Sequence, residues 1–126
     1  MEEEQKQKLP MYYQQIYDLM EQLNKAYVRR YGQHYLRFFK QFYSRVRFEL
    51  TKEQKKYFED RFKELEKQET VEKNEFNGLS VDFQSQKIAE RSEALLNPVY
   101  ELQLKLYEYL EDSTIFNFLK QNMELI

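Results

Sequence analysis

Apolar residues recur along the first third of the chain at Tyr13, Ile16, Met20, Leu23, Tyr27, Tyr31, Tyr35, Phe38, Phe42 and Val46. The mean step is about 3.67 residues, the period of an α-helix and not of a strand. The row keeps its phase across Gly32, and a glycine inside a helix costs only about 1 kcal/mol. The pattern therefore predicts one helix over residues 11–48, about 55 Å long and bent if anywhere at Gly32. Two helices meeting at Gly32 are the alternative. Pro10, just ahead of the row, suits a first helical turn.

Thr51 followed by Gln54 has the spacing of a capping box and predicts a second helix from Lys52 to about Glu75. Its apolar row is thin: Tyr57, Phe58, Phe62 and Leu65, then little until Val71 and Phe76. The remainder is dense Lys and Glu, whose pairs add a few tenths of a kcal/mol each. Asn77-Gly78 reads as a stop and Ser80 as the next N-cap. A third helix follows over about 81–96, burying some of Val81, Ile88, Ala89, Leu95 and Leu96. Asn97-Pro98 reads as a cap and first-turn proline opening a fourth over about 98–111, with Val99, Leu102, Leu106, Tyr109 and Leu110. A single long helix kinked at Pro98 is the alternative. Asp112 or Ser113 can cap a last short helix with Ile115, Phe116, Leu119 and Met123 on one side.

Three or four amphipathic helices with short connections predict an all-α fold, a three- to four-helix bundle or extended helical hairpin with a long first helix. At 126 residues the chain suits one domain. Residues 1–9 are charged and aperiodic and read as a disordered tail, leaving 10–126 as a single helical domain. Composition agrees with the helical reading. Two glycines and two prolines leave little material for the turns of a β fold. Only 41% of residues are hydrophobic, so the 21 Tyr and Phe side chains must supply much of the core.

Charge adds a distinct feature. The chain carries a net −2, yet residues 22–48 hold seven bases (Lys25, Arg29, Arg30, Arg37, Lys40, Arg45 and Arg47) and no acid. The same stretch holds eight of the aromatics. On the wheel of one continuous helix, the rings fall on one arc. Arg29, Arg30, Arg37, Lys40 and Arg47 fall on the opposite arc, with Lys25 and Arg45 on or near the apolar side. Surfaces that bind single strands mix rings and cations on one face; this arrangement assigns the rings to the core and leaves a five-residue cationic face. That face has three readings: it pairs with acidic segments of its own chain, it docks an acidic protein partner or a second copy, or it grips phosphates of duplex DNA or structured RNA.

Little else carries chemistry. His34 is the sole histidine and there is no cysteine, which excludes disulfides, thiolate sites and the usual zinc ligand sets. The isolated glycines cannot form a phosphate cradle, and no serine lies in a Gly-x-Ser-x-Gly setting. No catalytic residue, metal, cofactor or small-molecule substrate is inferred. The N-terminus lacks an apolar signal-like core and no segment suits a membrane span, so an intracellular, cytoplasmic setting is expected. The expectation is a non-enzymatic protein-protein interaction module, a subunit or adaptor that binds a protein partner or itself. Nucleic-acid binding through the cationic face is the alternative.

Overall fold

The helix that begins at Met11 does not continue through Gly32. The computed structural model describes residues 9–76 and 81–125, with side chains placed outside 68–76, 81–85 and 87. Five α-helices run through these residues: α1 (Met11–Val28), α2 (Gly32–Val46), α3 (Lys52–Phe76), α4 (Val81–Tyr109) and α5 (Thr114–Asn122). A short 3-10 turn, Arg47–Glu49, follows α2. There is no strand among the described residues. Residues 1–8 of the tail expected over 1–9, the stop at Asn77-Gly78 and the cap at Ser80 lie outside the described residues.

The single first helix is thus replaced by a hairpin, α1 folding back on α2. The corner is a helix C-terminal motif of the Schellman type. The N–H of Tyr31 donates to Ala26 O at 2.8 Å and that of Arg30 to Tyr27 O at 3.0 Å. Such a turn needs one left-handed residue, usually glycine, and here Arg30 supplies it with φ of 61°. The glycine two positions on has another task. A Cβ on Gly32 would overlap the carbonyl oxygen of Ser92 and come within 2.7 Å of its carbonyl carbon. Gly32 therefore lets α4 cross against the corner.

Ser92 also bonds the two elements. Its Oγ accepts from the N–H of Gly32 at 2.6 Å and donates to Arg30 O at 3.1 Å. A serine of α4 thus serves one of the unpaired N–H groups at the start of α2. Next to it, Arg30 forks onto Glu93, its Nε donating to Oε2 at 2.9 Å and its Nη2 to Oε1.

The sequence periodicity survives the break because the core lies on the inside of the hairpin. Ile16, Met20 and Leu23 of α1 and Tyr35, Phe39, Phe42 and Val46 of α2 are fully or almost fully buried. Against them pack Leu95, Leu96, Val99, Leu102, Leu106 and Leu110 of α4 and its C-terminal turn. α4 runs without interruption through Pro98, where the sequence suggested a cap. The proline gives up one helical hydrogen bond at roughly 3 kcal/mol. Burial of flanking Leu95, Leu96, Val99 and Leu102, at about 1.5–3 kcal/mol each, outweighs that loss. Nearer the start of α4, Ile88 is 48% exposed and outside the core.

Two caps stand where the sequence puts them. The N–H of Thr51 donates to Gln54 Oε1 at 2.9 Å, and the N–H of Gln54 to Thr51 Oγ1 at 3.2 Å. Ser113 Oγ accepts from the N–H of Phe116 at 3.3 Å and donates to Glu49 Oε2 at 2.6 Å, tying α5 to the turn after α2. α3 docks through Phe58, Phe62 and Leu65. Phe62 meets Phe39 and Tyr43 edge-on, at 5.9 and 5.3 Å between ring centroids.

Among the described side chains, the one fully buried residue of polar type is Gln103, at 0% exposure. It is satisfied on both sides: Tyr35 Oη donates to Gln103 Oε1 at 2.6 Å, and Gln103 Nε2 donates to Tyr107 Oη at 2.7 Å. Burial drives both phenols well above the ordinary 10.0, and for Tyr107 the Gln103 bond only partly opposes it. Both stay neutral in the folded state at a pH where the unfolded chain ionises them. The unfolded state then binds fewer protons, so stability is intact below about pH 10 and falls above it. The fall is about 1.4 kcal/mol per pH unit for each phenol. Urea midpoints followed by circular dichroism should decline steeply above about pH 10, and Tyr107→Phe should flatten the decline. A midpoint unchanged to about pH 11.5 contradicts this burial.

Candidate functional site

The five cations of the expected face meet different fates. Arg30 pairs with Glu93, Lys40 with Glu66, and Arg47 Nη2 with Glu59 Oε1 at 3.2 Å. All these side chains are 40–60% exposed, so each pair contributes little to stability, about 0–1 kcal/mol. Their effect on the surface is larger, because three carboxylates now stand among the cations. Lys40 also lies over the Phe62 ring at 5.8 Å. Arg29 and Arg37 have no carboxylate partner among the described residues. Arg37 Nη2 lies 3.0 Å from His34 Nδ1, and its guanidinium lies 5.1 Å from the centre of the Phe38 ring.

The corner brings these two together with a third cation. Lys25 and Arg29 of α1 and the turn line a hollow of about 290 Å³ with Tyr31, His34, Arg37 and Phe38. Ala26 forms part of its floor. Tyr31 is 53% exposed there, the only ring of the first apolar row that leaves the core so far. Tyr31 and His34 meet edge-on at 6.0 Å, and His34 stacks on Phe38 at 6.4 Å. Rings and cations thus share one surface. The continuous-helix wheel separates them, because it gives α1 and α2 a common axis. The turn at Arg29–Tyr31 reverses the axis and sets the Lys25–Arg29 side of α1 beside the His34–Arg37 side of α2. Lys25 here, and Arg45 farther along the hairpin, are cations that the expected face left out. The signal available for them was the alternative break at Gly32.

The hollow continues along the hairpin. A second one, of about 560 Å³, is lined by Gln15, Asp18, Leu19, Gln41, Ser44 and Arg45, and shares Gln22 with the first. Together they form a furrow between α1 and α2, on the side away from α4. It carries four cations (Lys25, Arg29, Arg37 and Arg45) and one carboxylate, Asp18. Arg37, Gln41 and Ser44, at i, i+4 and i+7 on α2, form its ridge. Beyond that ridge lies a further hollow of about 390 Å³, towards Glu66 of α3. The furrow extends from Gln15 to Arg29, about 21 Å at 1.5 Å per residue.

No group of three His, Cys, Asp or Glu side chains stands together among the described residues. No helix there is long and apolar enough to cross a membrane. Comparisons with protein families, with curated proteins and with solved structures find no match to this chain. What the fold and surface define is an all-α protein of five packed helices with a cationic, partly aromatic furrow on its helical hairpin.

Proposed function

We propose that the protein is a non-enzymatic interaction module, a subunit or adaptor of a larger assembly, which docks a protein partner on the α1–α2 furrow. The observation that supports this reading most is the furrow itself. It is open, it sets the apolar Leu19, Ala26 and Phe38 among Gln, Ser and charged side chains, and its charge is positive in a chain of net −2. A charged groove with apolar contacts suits a helix or extended segment of another protein. Tyr and Arg, the residue types most often at binding hot spots, are both present at its corner.

The alternative, a grip on duplex phosphates along the cationic face, draws less support. Glu59, Glu66 and Glu93 would each face the nucleic acid backbone. Only Arg29 and Arg37 of the five cations remain unshared with carboxylates among the described residues.

Affinity purification from a lysate, with nuclease treatment and quantitative mass spectrometry, tests the reading. The wild type is compared with the double variant Arg29→Glu/Arg37→Glu. The expected result is a set of proteins retained after nuclease and lost with the variant. Captured proteins that leave on nuclease treatment, or none that depends on the furrow, would overturn it.

A further inference from the structure

The chemistry of the partner follows from where the charges stand. Resting on the interaction reading above, we infer that the furrow takes an acidic amphipathic helix, about four turns long, with its carboxylates over Lys25, Arg29 and Arg37. Three observations converge on this occupant. The first is shape. A furrow between the two helices of a hairpin, about 21 Å long, matches a helix of about 14 residues. A third helix laid in that seam sets apolar side chains on Leu19, Ala26 and Phe38 and polar ones on Gln15, Gln41 and Ser44.

The second is charge. The positive groups concentrate at the corner end, where Lys25, Arg29 and Arg37 converge on one hollow. None of the three has a carboxylate partner among the described residues, whereas Arg30, Lys40, Arg47 and Arg61 each have one. The furrow thus gathers three cations on one hollow, with Arg45 farther along it and Asp18 its single carboxylate, a surface complementary to acidic side chains. Arginine predominates in the cluster, and its planar fork binds carboxylates through two parallel hydrogen bonds.

The third is the corner itself. Tyr31 stands 53% exposed beside those cations. An acidic segment with no apolar side chains would leave its ring in water. An apolar residue one turn from the acids covers it. The occupant is therefore acidic towards the corner and apolar on its inner face.

Selection from a displayed random library of peptides about 14 residues long tests this without knowing the partner. The full chain is the bait, and the Arg29→Glu/Arg37→Glu variant is the counter-selection. The expected winners are rich in Asp and Glu, with apolar residues spaced i, i+3, i+4, i+7. Their affinity should fall about 100-fold or more on the variant, where like charges oppose, and should weaken with added salt. Amide shifts in two-dimensional NMR should map them to residues 15–45, on the side away from α4. Winners that are basic or neutral, or that map to another face, overturn the proposal. So does an acidic winner whose binding survives loss of its apolar residues, since charge alone then explains it. If lysate partners depend on the furrow but no acidic peptide is selected, the interaction reading stands and this occupant falls. If neither experiment implicates the furrow, the two fall together. A circular dichroism spectrum of the double variant, expected to match the wild type because both arginines are exposed, shows that the fold is intact.

Discussion

Alanine at position 32 is expected to lower the stability of the fold by about 3 kcal/mol or more, a large share of the roughly 5–15 kcal/mol typical of a domain. The added methyl meets backbone, not a flexible side chain. It would overlap the carbonyl oxygen of Ser92 and approach Leu95 Cβ to 3.1 Å. Relief requires α4 to retreat from the corner. That motion stretches the Ser92 bonds to Gly32 and Arg30 and pulls Gln103 from Tyr35, leaving buried polar groups unpaired. The intrinsic helix propensity of alanine, better than glycine by about 1 kcal/mol, works in the opposite direction and is outweighed. Ser92→Ala is the informative companion. It loses the same two hydrogen bonds without the clash, so it should cost only about 1 kcal/mol. Urea titration of both variants checks the order. A Gly32→Ala protein as stable as the wild type would mean that α4 does not cross at the corner.

Phe58→Ala is the second large effect, expected at about 3–5 kcal/mol and confined in space. Phe58 is fully buried, with ring centroids of Tyr43 at 5.3 Å and Tyr109 at 5.9 Å. Among described side chains, α3 has only Phe62 and Leu65 beside it in the core. Beyond these contacts, Tyr43 Oη donates to Lys55 O at 3.2 Å, and the pairs of Glu59 with Arg47 and Glu66 with Lys40 are exposed, at about 0–1 kcal/mol each. Removing the anchor should release α3 before the rest of the bundle opens. Native-state hydrogen exchange should show protection lost across residues 52–67 while α1, α2 and the second half of α4 keep theirs. A uniform loss over all helices would show that α3 is integral to the global fold.

The thin stripe of α3, its capping box and the serine cap of α5 are all legible in the sequence, because each is a local arrangement of a few residues. The all-α class is legible for a similar reason, through the period of the apolar row. The break in that row is not. Tyr27 and Tyr35 remain in phase on either side of the corner, and their rings meet edge-on at 5.2 Å across it. Periodicity reports which residues face the core, and an antiparallel return can preserve that phase. Pro98 misleads in the opposite sense. Its local preference for a helix start yields to the burial of four apolar neighbours. The furrow depends on both lessons. Five cations are visible on paper, but their selection is set by tertiary contacts: Glu59, Glu66 and Glu93 take three of them, and the corner adds Lys25.

Everything proposed for the furrow rests on the reversal of the chain at Arg29–Tyr31, and a distance measurement tests it directly. The chain has no cysteine, so spin labels on Gln15→Cys and Ser44→Cys report one pair alone. Both positions line the same hollow between α1 and α2. Pulsed electron paramagnetic resonance should give a single short distance, consistent with helix axes about 10 Å apart. One continuous helix would hold the same labels about 44 Å apart, and that distance would contradict the hairpin, the crossing of α4 at Gly32 and the furrow together.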